Sequence, residues 1–232
     1  MGVDTLLKLI ADEDAEYVDI RFTDPRGKLQ HVTVMSDQVD ADFIEEGFMF
    51  DGSSIAGWKS IEASDMKLMM DTDSAYIDPF YAEKTICVHC YVVEPDTGEA
   101  YNRDPRGTAM KAEAYLKSSG IGDTFFVGPE AEFFLFDDVR FSNSMNKVSF
   151  EVDALDAAWN TDTDYEIGNT GHRPGVKGGY VPVNPIDDGQ DIRSEMLSTM
   201  KRLGMSVDKH HHEVASCQHE LGLIFSSLTK QG

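Results

Sequence analysis

The sequence predicts an α+β fold in two units. Three observations carry that reading. Up to about residue 103, short strand patterns form a small mixed sheet together with a helix. At Asp104-Pro105 the chain carries a strong helix start. Beyond it, helix and strand patterns alternate over longer spans. The chain has 232 residues, enough for one large domain or two small ones with a real core.

Taken in order, Thr5 to Ala11 fits a short opening helix capped by Asp4. Tyr17 to Phe22 alternates as a strand, Asp24-Pro-Arg-Gly27 has turn chemistry, and Leu29 to Met35 reads as the hairpin partner. Ser36 to Glu46 has a helical pattern, with Ser36 as N-cap and Gly47 as terminator. Strand patterns return at Ser64 to Met70 and at Thr85 to Val93. The boundary lies between Glu94-Pro-Asp-Thr-Gly98 and Arg103-Asp-Pro-Arg106, which divides the chain into domains 1–103 and 104–232. Asp104 as cap and Pro105 in the first turn open a helix that runs to about Ser119 and stops at Gly120. A strand (Thr124 to Phe136), a long polar loop (Thr161 to Gly179), a helix (about Asp188 to Leu203) and two strand-like runs follow. The sequence holds no repeat and no low-complexity tract.

Composition narrows the function. A net charge of −22 argues against a nucleic-acid backbone as partner, since that needs a basic face. Most of these carboxylates fit a solvated acidic surface, while a minority could hold a divalent cation through oxygen. No apolar run approaches the roughly 18 residues that a membrane span needs. Met1 to Asp14 is acidic and helical, unlike a signal peptide, so a cytoplasmic location without membrane contact is expected. Three cysteines make no disulfide framework. Cys87 and Cys90 lie in a strand pattern, where residues three apart face opposite ways, so they read as buried packing rather than a zinc site.

The chemistry concentrates in two segments. In Thr124-Phe-Phe-Val-Gly-Pro-Glu-Ala-Glu-Phe-Phe-Leu-Phe136, period-two alternation puts Phe126, Gly128, Glu130, Glu132 and Phe134 on one face. Two glutamates on an aromatic-rich face repel and lose solvation unless a cation neutralises them; the bland alternative is an edge strand with a wet face. The second segment is His210-His-His-Glu-Val-Ala-Ser-Cys-Gln-His-Glu-Leu-Gly-Leu-Ile-Phe225. Folded as a hairpin about Ala215 to Gln218, it would oppose Val214 to His219 and Glu213 to Glu220, with His211 beside them. Adjacent histidines alternate faces, so His210 and His212 read as packing or supporting groups. Glu130, Glu132, Glu213 and Glu220 thus offer an oxygen-rich site for Mg²⁺ or Mn²⁺. There is no Walker-type phosphate loop.

Four motifs now stand in one order: Phe50-Asp-Gly-Ser-Ser-Ile-Ala-Gly-Trp58, Gly128-Pro-Glu-Ala-Glu-Phe133, Lys177-Gly-Gly-Tyr180 and His210-His-His-Glu-Val214. Together they resemble the bacterial type I glutamine synthetases, from the first helix to Gly232. The resemblance implies a small β-grasp domain, then part of a catalytic domain on a curved, mainly antiparallel sheet with helices. It implies ATP-dependent joining of ammonia to L-glutamate through a γ-glutamyl phosphate. Residue by residue, Glu130 resembles a ligand of the metal nearer the ATP phosphates, and Glu132, Glu213 and Glu220 resemble ligands of the one nearer glutamate. Asp51, Ser54, Tyr180 and Glu213 resemble the ammonium pocket, with Asp51 favouring deprotonation and acting from a neighbouring subunit. On its own chemistry, the Asp51 to Gly57 stretch could also be a plain connecting turn. Asp208 and Phe225 resemble the nucleotide contacts, Phe225 through its backbone. Partners implied are ATP, ammonium, L-glutamate and further copies of the chain in a dodecamer.

Two departures stand out. Glu213 and Glu220 are seven apart, where some members have eight. The family chain is also about twice as long, and its later part carries a histidine ligand, phosphate-binding arginines and a closing flap. The competing expectations are a non-catalytic remnant that associates with intact subunits, or a related ligase that joins glutamate to another amine. The 232 residues alone are therefore expected to make no glutamine, because removing even one electrostatic contact to a transition state typically costs about 10²-fold or more in rate. ATP-dependent glutamine formation by the purified chain, abolished by Glu132→Ala, would contradict this.

Overall fold

The computed structural model describes residues 2–168 and 171–231. Asn169 and Thr170, inside the polar loop expected over Thr161 to Gly179, lie outside the described residues. The chain divides into two compact units, Met1–Phe126 with Ser227–Gly232, and Val127–Ser226. Both combine helices with sheet, as the α+β reading expects.

In the first unit the strands are β1 (Tyr17–Thr23), β2 (Leu29–Met35), β3 (Phe48–Asp51), β4 (Asp65–Met70), β5 (Tyr76–Ile77) and β6 (Thr85–Val93). They form one sheet in the order β2-β1-β6-β4-β3, with β5 on β6. β1 and β6 run parallel and the other pairs antiparallel, so the sheet is mixed. Ile86, Val88, Cys90 and Val92 share one face of β6 and join Leu6 and Ile10 of helix α1 (Val3–Asp12) in the core. Cys87 lies on the opposite face. Both cysteines are buried and free, and burial pushes the Cys87 thiol up to about 12, which leaves it inert.

Helix termini show where local chemistry decides. Gly2 rather than Asp4 caps α1, with no side-chain bond; Asp4 sits in the first turn, where its charge suits the helix dipole. The single helix expected over Ser36 to Glu46 is instead a turn of 3₁₀ helix at Ser36–Gln38 followed by α2 (Ala41–Glu46). The carboxylate of Asp40 accepts the Phe43 N–H at 2.8 Å and is the better cap. Gly47 does end the helix, at φ +80, and a Cβ there would meet Leu68 O at 2.6 Å. Helix α3 (Pro105–Ser119) runs as the sequence predicts: Asp104 accepts the Gly107 N–H at 2.9 Å and Gly120 closes it at φ +73.

The expected strand from Thr124 to Phe136 is interrupted at Gly128-Pro129, leaving β7 (Phe126–Val127) and β8 (Glu130–Phe134). A hairpin that the sequence reading missed comes next, β9 (Asp138–Ser144) and β10 (Lys147–Asp153). One of its faces exposes Phe141, Val148 and Phe150. At its base Arg140 reaches Asp153 at 2.6 Å. Helix α4 (Gln190–Arg202) and strands β11 (Val207–His212) and β12 (Gln218–Leu223) complete the second unit. β12 is the middle strand of an antiparallel sheet, β11-β12-β8.

Asp153 anchors the start of the polar loop. Burial alone would raise its pKa, but the Thr161 N–H (2.7 Å), the Thr161 hydroxyl (2.9 Å) and the Thr163 hydroxyl (2.9 Å) outweigh it. The carboxyl falls from its ordinary 3.8 to about 2. A carboxyl with a lowered folded pKa stabilises above its unfolded pKa and loses that contribution as pH falls through the folded value. The melting-temperature gap between the native protein and Asp153→Asn should therefore be full at pH 5 and shrink as pH falls from about 4 towards 2. A gap that stays constant over that range would contradict the assignment.

Candidate metal centre

The site follows from strand parity. On the β11-β12-β8 sheet, His211 opposes Glu220 and Glu220 opposes Glu132. Directly opposed residues point to the same side, so an imidazole and two carboxylates form one cross-strand row. His210 and His212 on β11, and His219 and Leu221 on β12, take the other side. There the fully buried Arg193 of α4 sits between them. Its Nε donates to His210 Nδ1 at 3.2 Å, one terminal nitrogen lies 2.7 Å from His219 Nδ1, and the other pairs with Asp187. Burial, then the Arg193 charge, hold His219 down at about 4, so it stays neutral and accepts that bond.

The hairpin register differs from the expected one. His212, not Val214, pairs with His219, and Glu213 has left the ladder, its N–H donating to Gln218 O at 2.8 Å. The shift is by two residues in the sum of partner numbers, an even step, so every side chain keeps its face. Glu213 therefore still meets Glu220. His211, Glu213 and Glu220 each offer a ligand atom, and these atoms lie within 4.8 Å of one another. His211 Nε2 is 3.5 Å from Glu220 and its Nδ1 is 3.9 Å from Glu213. The three side chains are only 9–15% exposed.

Charge is crowded here. Burial raises the Glu220 pKa, His211 opposes that, and Glu213 and Glu130 add to it. A divalent cation would relieve the repulsion; the two carboxylates suit Mn²⁺ or Mg²⁺, and an imidazole beside them favours Mn²⁺ of the two. Glu132 belongs to the row, but its carboxylate accepts Gln218 Nε2 at 2.7 Å. Glu130 lies opposite Gly222, two pairs along on the same face. Neither joins the three-residue group. Tyr180 stands over His211 edge to face, with ring centroids 5.4 Å apart. Asp208 is exposed beside Lys209 at 3.4 Å, and Phe225 is also exposed; both lie outside the group.

Asp51 and Ser54 belong to the first unit. Asp51 caps a single 3₁₀ turn, Gly52–Ser54, accepting the Ser53 N–H at 2.9 Å, the Ser53 hydroxyl at 2.6 Å and the Ser54 hydroxyl at 2.9 Å. The Ser53 hydroxyl is the largest of the influences that lower its pKa. A carboxylate so held stays ionised and attracts cations. Trp58, buried with Phe22 and Tyr101 and packed on the half-buried Phe50, anchors the loop's end. Sequence reasoning missed Arg193, Asp187 and Asp156, which carry polar signals in otherwise ordinary surface-like segments.

The chain matches two family models, that of the glutamine synthetase β-grasp domain over residues 14–95 and that of the glutamine synthetase catalytic domain over residues 102–232. It is 74% identical over 225 residues to a glutamine synthetase of Cereibacter sphaeroides, covering 97% of this chain and 48% of that protein. It is 71% identical over 230 residues to one of Rhodobacter capsulatus, covering 99% and 52%. The chain thus spans about half the length of these relatives. A solved structure of Plasmodium falciparum glutamine synthetase shares the fold, with a TM-score of 0.89 at 24% identity over 100% of this chain and 46% of that one.

One packing detail of the centre is directly testable. A Cβ on Gly179 would lie 2.8 Å from both Glu213 O and His212 Cε1, whereas Gly175 has nothing within 4 Å. Gly179→Ala should destabilise by about 1–3 kcal/mol in urea melts, as overpacked sites do. Gly175→Ala should stay within about 0.5 kcal/mol of the native protein. Equal, small effects would show that the loop is not packed on the turn.

Proposed function

The chain belongs to the glutamine synthetase family, and on that premise we propose that it serves the ATP-dependent ligation of ammonia to L-glutamate through a γ-glutamyl phosphate. The observation that carries this reading is the convergence of His211, Glu213 and Glu220 on one side of the β11–β12 pair. Glu132, Glu213 and Glu220 would hold one Mg²⁺ or Mn²⁺, and Glu130 would contribute to a second. Bound there, such ions neutralise phosphate oxygens during phosphoryl transfer.

The chain's own groups do the rest of what we assign to it. Asp51, Ser54, Tyr180 and Glu213 bind ammonium. Asp51, oriented by its serine contacts, attracts the cation and favours its deprotonation. Asp208 and Phe225 contact the nucleotide, Phe225 through its backbone. The protein assembles with further copies of itself, as a dodecamer, so that Asp51 acts in a neighbour's site; the apolar face of the β9–β10 hairpin supports association. No helix among the described residues is long and apolar enough to cross a membrane, and the acid charge favours no nucleic acid.

Mn²⁺ should raise the melting temperature of the native protein by mass action, and the Glu132→Gln, Glu220→Gln double variant should lose most of that shift. An undiminished shift would remove the metal assignment. Asp51→Asn should impair glutamine synthesis more than trapping of the glutamyl phosphate. Equal loss of both steps would make the loop structural.

A further inference from the structure

The turn between β11 and β12 contains no Gly, Asn or Pro, yet Cys217 adopts φ +65. Left-handed backbone is unfavourable for a residue with a side chain, so something must hold the turn in that form. A single buried carboxylate does. Asp156, 4% exposed, comes from the segment after β10. Its Oδ2 accepts from Nε2 of His212 at 2.9 Å and also from the backbone N–H of Cys217. One oxygen therefore grips both ends of the turn. His212 closes the clasp from the far side of its ring, with Nδ1 2.6 Å from the Glu213 carbonyl oxygen. Ala154, Ala157 and Cys217 form a small dry cluster under it.

The consequence concerns Glu213. Glu220 sits on β12, where the ladder fixes its place, whereas Glu213 lies one residue past the end of β11, tied to β12 by its N–H to Gln218 O at 2.8 Å and with its carboxylate accepting the Val214 N–H of the turn at 2.6 Å. The β12 bond holds the Glu213 backbone, and the turn, through Val214, aims its carboxylate at Glu220. We propose that Asp156 is a positioning residue of the metal centre, clasping this turn so that Glu213 meets Glu220 and His211 at ligand spacing. The inference rests on the metal-centre reading above. Groups that hold a ligand in place typically govern metal affinity by about 10–100-fold, and Asp156 reaches Glu213 through His212, whose Nδ1 meets the Glu213 carbonyl.

The test measures Mn²⁺ affinity of the purified protein by calorimetry or water-proton relaxation, alongside melting temperature. Asp156→Ala should weaken Mn²⁺ binding by about tenfold or more and speed hydrogen exchange at the Cys217 amide. Asp156→Asn keeps the shape and removes the charge; it serves if the alanine variant does not fold, and should weaken binding in the same direction. Glu213→Gln is the control. If Glu213→Gln weakens binding while folded Asp156 variants keep native affinity, the clasp is merely structural and the proposal is overturned. If Glu213→Gln itself leaves affinity unchanged, the metal-centre reading fails and takes the proposal with it.

Discussion

Arg193 is the constraint on which the second unit depends. A buried guanidinium left unpaired would cost several kcal/mol, so its partners cannot be rearranged independently. Asp187 supplies the countercharge, and His210 and His219 accept from the remaining nitrogens. Burial and the Arg193 charge lower the pKa of both imidazoles, which keeps them neutral and able to accept. Helix α4 is thereby locked to β11 and β12 together. With that side of the pair occupied, the alternate residues His211 and Glu220 face the opposite way, and Glu132 joins them across β8. The packing face specifies the chemical face.

That logic explains why the shared side of these glutamates is legible in the sequence while the hairpin register is not. Parity survives an even shift, so the assignment of Glu130, Glu132, Glu213 and Glu220 to a common side needed only the period of a strand. The register needed the turn, and the turn takes its shape from Asp156, some sixty residues earlier in the chain. No local pattern announces a carboxylate that acts at that separation. Gly179 is similar: its need for a bare α-carbon comes from His212 and Glu213, far along the chain.

Elsewhere the same division holds. The β1–β2 hairpin, β6 and α3 were readable because alternation, Asp-Pro-x-Gly chemistry and an Asp-Pro helix start are local signals. The caps of α1 and α2 were misplaced by competing candidates within a few residues: Asp40 outcompetes Ser36, and Asp4 contributes as first-turn charge instead. The β9–β10 hairpin does carry alternation, in Val139 and Phe141 against Val148 and Phe150, but no strong turn pair marks it. The family models meet between residues 95 and 102, whereas the compact units part at Phe126, because α3 packs with the first unit.

The central claim is that the side of the β11–β12 pair turned away from Arg193 is a divalent-cation site. Crystals of the protein grown with Mn²⁺ and measured at the manganese absorption edge test it most directly. The account predicts an anomalous difference peak bounded by His211, Glu213 and Glu220, with the Glu132 carboxylate turned from Gln218 towards the ion. A peak elsewhere, or no peak with Glu132 still held by Gln218, would contradict it.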